Sequence, residues 1–278
     1  MISLKKLTLL GTMALALLNL SGSPALAQSQ NITIEGDHGK LVGVLQTPDQ
    51  QKNYPLVIIM HGFTGNKEEH LLTGLADALE KDGIASVRFD FNGHGKSEGR
   101  FQDMTVPNEI EDAKKVYDYA ANLPGVTSIS LAGHSQGGVV ASMTAGILGT
   151  QKVKSLALMA PAAVLREDAI RGILFGKQYD ITHLPEAVDI FNGLKLGANY
   201  VKTAQTLPIY ETAAQYQGSA FMIHGIQDIV VPYTYSLRYQ RIYFNSEVKL
   251  LPGGDHGFNK NTSSAIKLVA SFFHQQLK

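Results

Sequence analysis

Short apolar runs rich in β-branched residues recur at positions 55–60, 84–89, 127–131, 155–159 and 220–223 of this 278-residue chain. Runs of that length without polar alternation read as strands buried on both faces, and such strands need helices on either side of a mainly parallel sheet. The segments between and after them have helical spacing. Ile110, Ala113, Tyr117 and Ala120 follow i, i+3, i+7, i+10, while Ile266, Val269, Ala270, Phe273 and Leu277 predict a C-terminal helix capped near Thr262 or Ser263. Strand alternating with helix implies an α/β sheet with right-handed crossovers. Residues 31–34 and 41–45 are expected to form an antiparallel hairpin at its edge, and 247–251 its last strand. About sixty residues separate the 155–159 and 220–223 strands, too many for a simple connection, so this insertion after the sixth strand is a candidate lid.

Composition narrows the class. With 44% apolar and 17% charged residues the chain can bury one large core, which excludes a disordered or coiled-coil protein. Zero Cys excludes disulfides, thiol catalysis and thiolate metal sites. The 24 basic and 24 acidic residues balance, so charge gives no argument for nucleic acid or anionic membrane as a partner.

The N-terminus reads as a targeting segment. Lys5 and Lys6 precede an apolar stretch over 7–20, and Ala25-Leu26-Ala27 closes the segment with small residues two apart, as a secretory signal peptide does. Thr8, Gly11, Thr12 and Asn19 interrupt a stretch that falls short of the ~20 residues needed to span a bilayer. The expectation is therefore a signal peptide over 1–27, a mature single domain over 28–278 beginning at Gln28, and an exported protein, periplasmic or secreted. No stable membrane insertion is expected after cleavage, and no Cys follows for a lipid anchor.

In an open α/β sheet, ligands gather at the carboxyl ends of the strands. There Gly133-His134-Ser135-Gln136-Gly137 follows one strand directly and enters a helix-like run over 138–148, so Ser135 is placed on a sharp strand-to-helix turn that projects its hydroxyl. The bare pattern is weak, since Gly95-Lys96-Ser97-Glu98-Gly99 also matches it. Context separates the two, because Ser97 sits within a glycine-rich loop that enters no helix at the serine.

A serine hydroxyl becomes a useful nucleophile only when a base takes its proton, and the usual base is an imidazole oriented by a carboxylate. His256 lies in Gly253-Gly254-Asp255-His256-Gly257-Phe258, between the last strand and the C-terminal helix. Asp228 lies five residues past Ile223. The order Ser135, Asp228, His256 suits nucleophile, acid and base. Asp255 is the rival acid, disfavoured because a sequence neighbour points away from the ring, and His134 and His224 read as structural. Acyl transfer also needs donors for the oxyanion. The Gln136 amide and an amide of His61-Gly62-Phe63-Thr64-Gly65, naturally that of Phe63, fit. Asp90, Asn92 and His94 alternate but lack further ligands at metal spacing and read as loop braces, so no metal is expected. Neither a phosphate loop nor a dinucleotide fingerprint is present, so no cofactor is expected.

His61-Gly62-Phe63-Thr64-Gly65, the segment Phe89-Asp90-Phe91-Asn92-Gly93-His94-Gly95-Lys96-Ser97, Gly133-His134-Ser135-Gln136-Gly137-Gly138 and Leu207-Pro208-Ile209-Tyr210-Glu211 together resemble bacterial cinnamoyl (feruloyl) esterases of the α/β-hydrolase superfamily. The first three also resemble serine aminopeptidase-like hydrolases. The resemblance implies an α/β-hydrolase fold and a serine esterase for hydroxycinnamate or other small acyl esters. It also implies an insertion over about 165–208 that covers the site, with Asp168 and Tyr200 reaching the ring hydroxyl of the substrate. Phe175, Tyr179, Phe191 and Tyr200 read equally as packing within the insertion. A serine aminopeptidase-like or lipid-ester hydrolase with the same triad is the alternative, and a non-catalytic binding protein is disfavoured by the intact Ser135, Asp228 and His256.

Overall fold

The computed structural model describes residues 28–49 and 51–278; the expected signal peptide, 1–27, lies outside the described residues. Along the chain run β1 (Gln28–Glu35), β2 (Lys40–Thr47), β3 (Tyr54–Met60), α1 (His70–Lys81), β4 (Ala85–Phe89), α2 (Val106–Ala121), β5 (Val126–His134), α3 (Gln136–Leu148) and β6 (Val153–Met159). Next come α4 (Val164–Arg171), β7 (Ile173–Leu174), β8 (Lys177–Gln178), β9 (Ala187–Asp189), β10 (Lys195–Gly197), α5 (Ala198–Gln205) and α6 (Ile209–Ala213). The chain ends with β11 (Ser219–Gly225), α7 (Thr234–Ile242), β12 (Ser246–Leu251) and α8 (Thr262–Leu277).

Eight strands form one sheet in the order β1-β2-β4-β3-β5-β6-β11-β12. From β4 to β12 every pairing is parallel, and the expected hairpin β1–β2 closes one edge antiparallel to β4. This is the α/β-hydrolase architecture, a mostly parallel sheet flanked by helices.

Burial on both faces explains the unbroken apolar runs. In β3, Leu56, Ile58 and Met60 join a core with Ile110, Ala113 and Val116 of α2 and Val139 and Val140 of α3. Their neighbours Val57 and Ile59 face the other way, into a core with Leu72 and Leu75 of α1 and Val269 and Phe273 of α8. A fully buried leucine or isoleucine contributes about 2 kcal/mol, so a charge anywhere along β3 would oppose the fold.

Most strands run one to three residues past their expected bounds, and two boundaries bear on the helix cap and the site. The C-terminal helix is preceded by Asn261, whose carbonyl accepts the Ala265 amide at 2.9 Å, so capping falls one residue before Thr262. The strand read as 220–223 continues to Gly225, which puts Asp228 three residues past its end. The insertion between β6 and β11 holds α4, two small antiparallel pairs (β7–β8 and β9–β10), α5 and α6. Among the described residues no helix is long and apolar enough to cross a membrane.

Candidate active site

Ser135 occupies the single residue between β5 and α3, at φ 55° and ψ −123°. This left-handed backbone is strained for a residue with a Cβ, by about 1–3 kcal/mol, and the surroundings hold it there. The Ser135 amide donates to Met159 O at 2.9 Å, and its carbonyl accepts the Ala162 amide at 3.0 Å. Glycine is obligatory on either side. A Cβ on Gly133 would lie 2.1 Å from Gly137 O, and one on Gly137 would lie 2.3 Å from His61 O.

The loops after β11 and β12 bring two partners to that hydroxyl. His256 Nε2 is 2.9 Å from Ser135 Oγ, and its Nδ1 is 2.7 Å from Asp228 Oδ2. Asp228 Oδ1 accepts the Val230 and Val231 amides at 2.9 and 2.8 Å. Burial alone would raise the Asp228 pKa. Hydrogen bonds from His224 and His256, the His256 charge and the Val231 amide outweigh it and hold the carboxyl well below the usual carboxylate range. The geometry thus gathers the three residues expected from sequence.

The rivals are engaged elsewhere. Asp255 accepts the Asn259 amide and side-chain N–H at 2.8 and 2.9 Å, turned from the His256 ring. Ser97 Oγ donates to Asp90 O at 2.6 Å and accepts the Val42 amide at 2.8 Å, bracing its loop. Asp90 takes the Lys67 ammonium at 2.7 Å, and no metal-ligating cluster occurs among the described residues.

The loop after β3 crosses directly over the serine, since a Cβ on Gly62 would lie 2.8 Å from that of Ser135. His61 secures this loop. Its Nε2 accepts the Phe91 amide at 3.1 Å, so the proton sits on Nδ1, which donates to Gly62 O at 2.8 Å. Burial first, and then nearby His94, lower its pKa to about 3, so the ring stays neutral. Neither the Phe63 nor the Gln136 amide has an acceptor among the described residues. Both residues line the cavity with Ser135, and Gln136 N–H stands at the start of α3, where the helix dipole favours negative charge.

That cavity, about 570 Å³, is mostly apolar and is walled by the insertion. Phe63 and Phe175 have ring centroids 5.0 Å apart, and Phe175 and Phe191 5.2 Å, forming an aromatic side. Asp168 lines it, half-buried, its carboxyl group without a hydrogen-bond partner among the described residues; burial raises its pKa. Tyr200 also lines it, but its hydroxyl donates to Gln136 Oε1 at 2.7 Å, so only its lone pairs are free for a ligand.

Sequence reading passed over the rest of that clamp. Gln136 Nε2 donates to Glu109 Oε2 at 2.9 Å, and Glu109 is buried beneath the start of α3. Its signal was spacing, because Glu109 falls three after Val106 and four before Ala113 on the buried stripe of α2. Burial, offset only in part by the Gln136 bond, raises its pKa well above the ordinary glutamate value. The sign follows. An acid raised in the fold carries no penalty at low pH, and folding loses ~1.4 kcal/mol per pH unit as pH climbs from the unfolded toward the folded value. Glu109→Gln keeps the acceptor for Gln136 and cannot ionise. Its melting temperature is expected to pull ahead of wild type as pH rises from 5 to 8, and parallel melting curves across that range would refute the upward shift of the Glu109 carboxyl.

The fold and the site's composition are those of a serine hydrolase of the α/β-hydrolase class. Residues 51–183 match the family model described as serine aminopeptidase, S33. Est1E from Butyrivibrio proteoclasticus, whose structure was solved with ferulic acid bound, is 35% identical with a TM-score of 0.85, over 88% of this chain and 98% of that one. An uncharacterized 31.7 kDa protein of Escherichia coli is 32% identical over 107 residues, so the match spans just over a third, 37%, of each chain. The mitochondrial palmitoyl-protein thioesterase ABHD10 of Mus musculus is 23% identical over 73% of this chain and 69% of its own. The chain belongs to the bacterial cinnamoyl/feruloyl esterase-like α/β-hydrolases, related to the serine aminopeptidase-like hydrolases.

Proposed function

We propose that the protein is a serine carboxylic-ester hydrolase acting through an acyl-enzyme, with hydroxycinnamate (feruloyl-type) esters as its substrates. The observation that carries this reading is the continuous path from Ser135 Oγ to His256 to Asp228, opening on a cavity with an aromatic side and one unpaired carboxylate. His256 Nε2 takes the hydroxyl proton as Oγ bonds to the ester carbon. The carbonyl oxygen, now negative, is received by the Phe63 and Gln136 amides. As the tetrahedral species collapses, the C–O bond to the alcohol breaks and His256 returns its proton to the departing alkoxide. Water then repeats the sequence on the acyl-enzyme, releasing the acid and restoring Ser135.

In the same reading the insertion covers the bound acyl group. A flat ring suits the Phe63, Phe175 and Phe191 side, and a phenol hydroxyl, once out of water, needs an acceptor that Asp168 supplies. Ferulic acid bound to Est1E supports this chemistry for the related chain. The competing reading as an aminopeptidase draws on the same carboxylate, which could hold a substrate ammonium.

Methyl ferulate, a short p-nitrophenyl ester and an aminoacyl anilide separate these readings. Both esters are expected to turn over and the anilide to remain intact. Asp168→Ala should lower kcat/KM on methyl ferulate by about 5- to 150-fold, the ~1–3 kcal/mol of an unsatisfied buried hydroxyl, and leave the short ester unchanged. Equal losses on both esters would assign Asp168 a structural role, and cleavage of the anilide alone would overturn the esterase reading.

A further inference from the structure

We infer that His224, read from sequence as structural, is a positioning residue for the reaction that acts through Asp228. The inference rests on the proposed roles of Ser135, Asp228 and His256. His224 is the penultimate residue of β11 and is wholly buried. Its contacts fix where its proton sits. Nε2 lies 2.9 Å from Val231 O and 3.0 Å from Asp228 Oδ2, both acceptors, so Nε2 carries the hydrogen. Nδ1 lies 2.7 Å from Ser236 Oγ and accepts that hydroxyl's hydrogen. The ring is thus held with its Nε2–H aimed at the oxygen that also receives His256 Nδ1–H.

Two consequences follow for His256. With two imidazole donors on Oδ2 and two amide donors on Oδ1, the carboxylate cannot rotate without losing hydrogen bonds, so the His256 ring is held toward Ser135. The His224 N–H also draws negative charge from Oδ2, leaving less to stabilise the imidazolium when His256 takes a proton. The hydroxyl of Ser236 polarises the far side of the same ring and strengthens that N–H.

The other titratable groups facing this pair stand apart from the carboxylate. His134 of β5 donates Nε2–H to His256 O at 2.9 Å, and burial, with the neighbouring His256 charge, lowers its pKa to about 4. Glu69, just before α1, acts on His256 only through its charge, and burial raises its pKa. Among the described residues neither bonds to Asp228, so the second imidazole on Oδ2 comes from His224 alone.

The test compares pH profiles on one short ester for wild type, His224→Asn, His224→Gln and Ser236→Ala, with active molecules counted by fluorophosphonate titration. Asparagine reaches the Nδ1 position only and removes the N–H to Asp228; glutamine reaches the Nε2 position and restores a donor. His224→Asn is expected to lower kcat about tenfold with KM unchanged and to move the acid limb of kcat/KM up by about half a pH unit. His224→Gln should recover most of both changes. Should the asparagine variant fail to fold, Ser236→Ala carries the test, with a smaller shift in the same direction. A wild-type limb in the folded variants, or equal losses in the asparagine and glutamine variants, would overturn the inference. Turnover surviving Ser135→Ala would instead sink the underlying reading.

Discussion

Ser135→Ala is expected to abolish turnover and fluorophosphonate labelling while leaving the melting temperature within a few degrees of wild type. The side-chain oxygen has one partner among the described residues, His256 Nε2 at 2.9 Å, so its loss removes little packing and no buried donor is stranded in a dry core. Alanine keeps the Cβ that the Gly62 backbone closely approaches, and it tolerates the same left-handed turn no worse than serine. Without the hydroxyl no acyl-enzyme forms, and the loss in kcat should approach the ~10⁶-fold typical when a triad nucleophile is removed. Ser97→Ala supplies the internal contrast. Its hydroxyl links Asp90 O to the Val42 amide, so the variant should retain kcat and lose ~1 kcal/mol of stability. A dead Ser97 variant beside an active Ser135 variant would move the nucleophile to the other glycine-flanked serine.

The parts of the molecule legible in sequence are those set by local rules. The inner strands β3 to β6 and β11 announce themselves because both faces are buried, and Ser135 stands out because a strand, a strained turn and a helix meet at adjacent residues. Helix α1 also carries a readable stripe at 71, 75 and 79, although the strand pattern alone drew the expected sheet. The interior of the insertion was opaque for a physical reason. Its strands are two or three residues long, too short for any periodicity to develop.

Long-range polar contacts were hidden for another reason. Gln136 meets Glu109 across 27 residues and Tyr200 across 64, so the clamp beneath the oxyanion-side amide depends on how α2, α3 and α5 pack. The same holds for Tyr200, for which the family resemblance implied contact with a substrate hydroxyl while its own proton is donated to Gln136. His224 and Asp228 lie four apart, yet their bond depends on the turn after β11 reversing the chain, which residue type alone does not specify.

Asp228→Asn should lower kcat by roughly 10⁴-fold with little change in KM, the size expected when the orienting carboxylate of a serine triad loses its charge. The hydrogen-bond geometry gives the reason. Both Asp228 oxygens face donors only, two imidazole N–H groups at Oδ2 and two backbone amides at Oδ1. An asparagine must set its NH₂ against one of these pairs. Directed at the amides, it would oppose two N–H groups that cannot change partner. Directed at the rings, it opposes the His224 N–H, which Val231 O keeps in place, and can be accommodated only by turning His256 to its other tautomer. His256 Nε2 would then carry a hydrogen toward Ser135 and could not accept the hydroxyl proton. Asp255→Asn, altering a carboxylate bound to Asn259, should change kcat by less than a few-fold. Steady-state kinetics of the two variants decide the matter, because the opposite ranking would transfer the orienting role to Asp255.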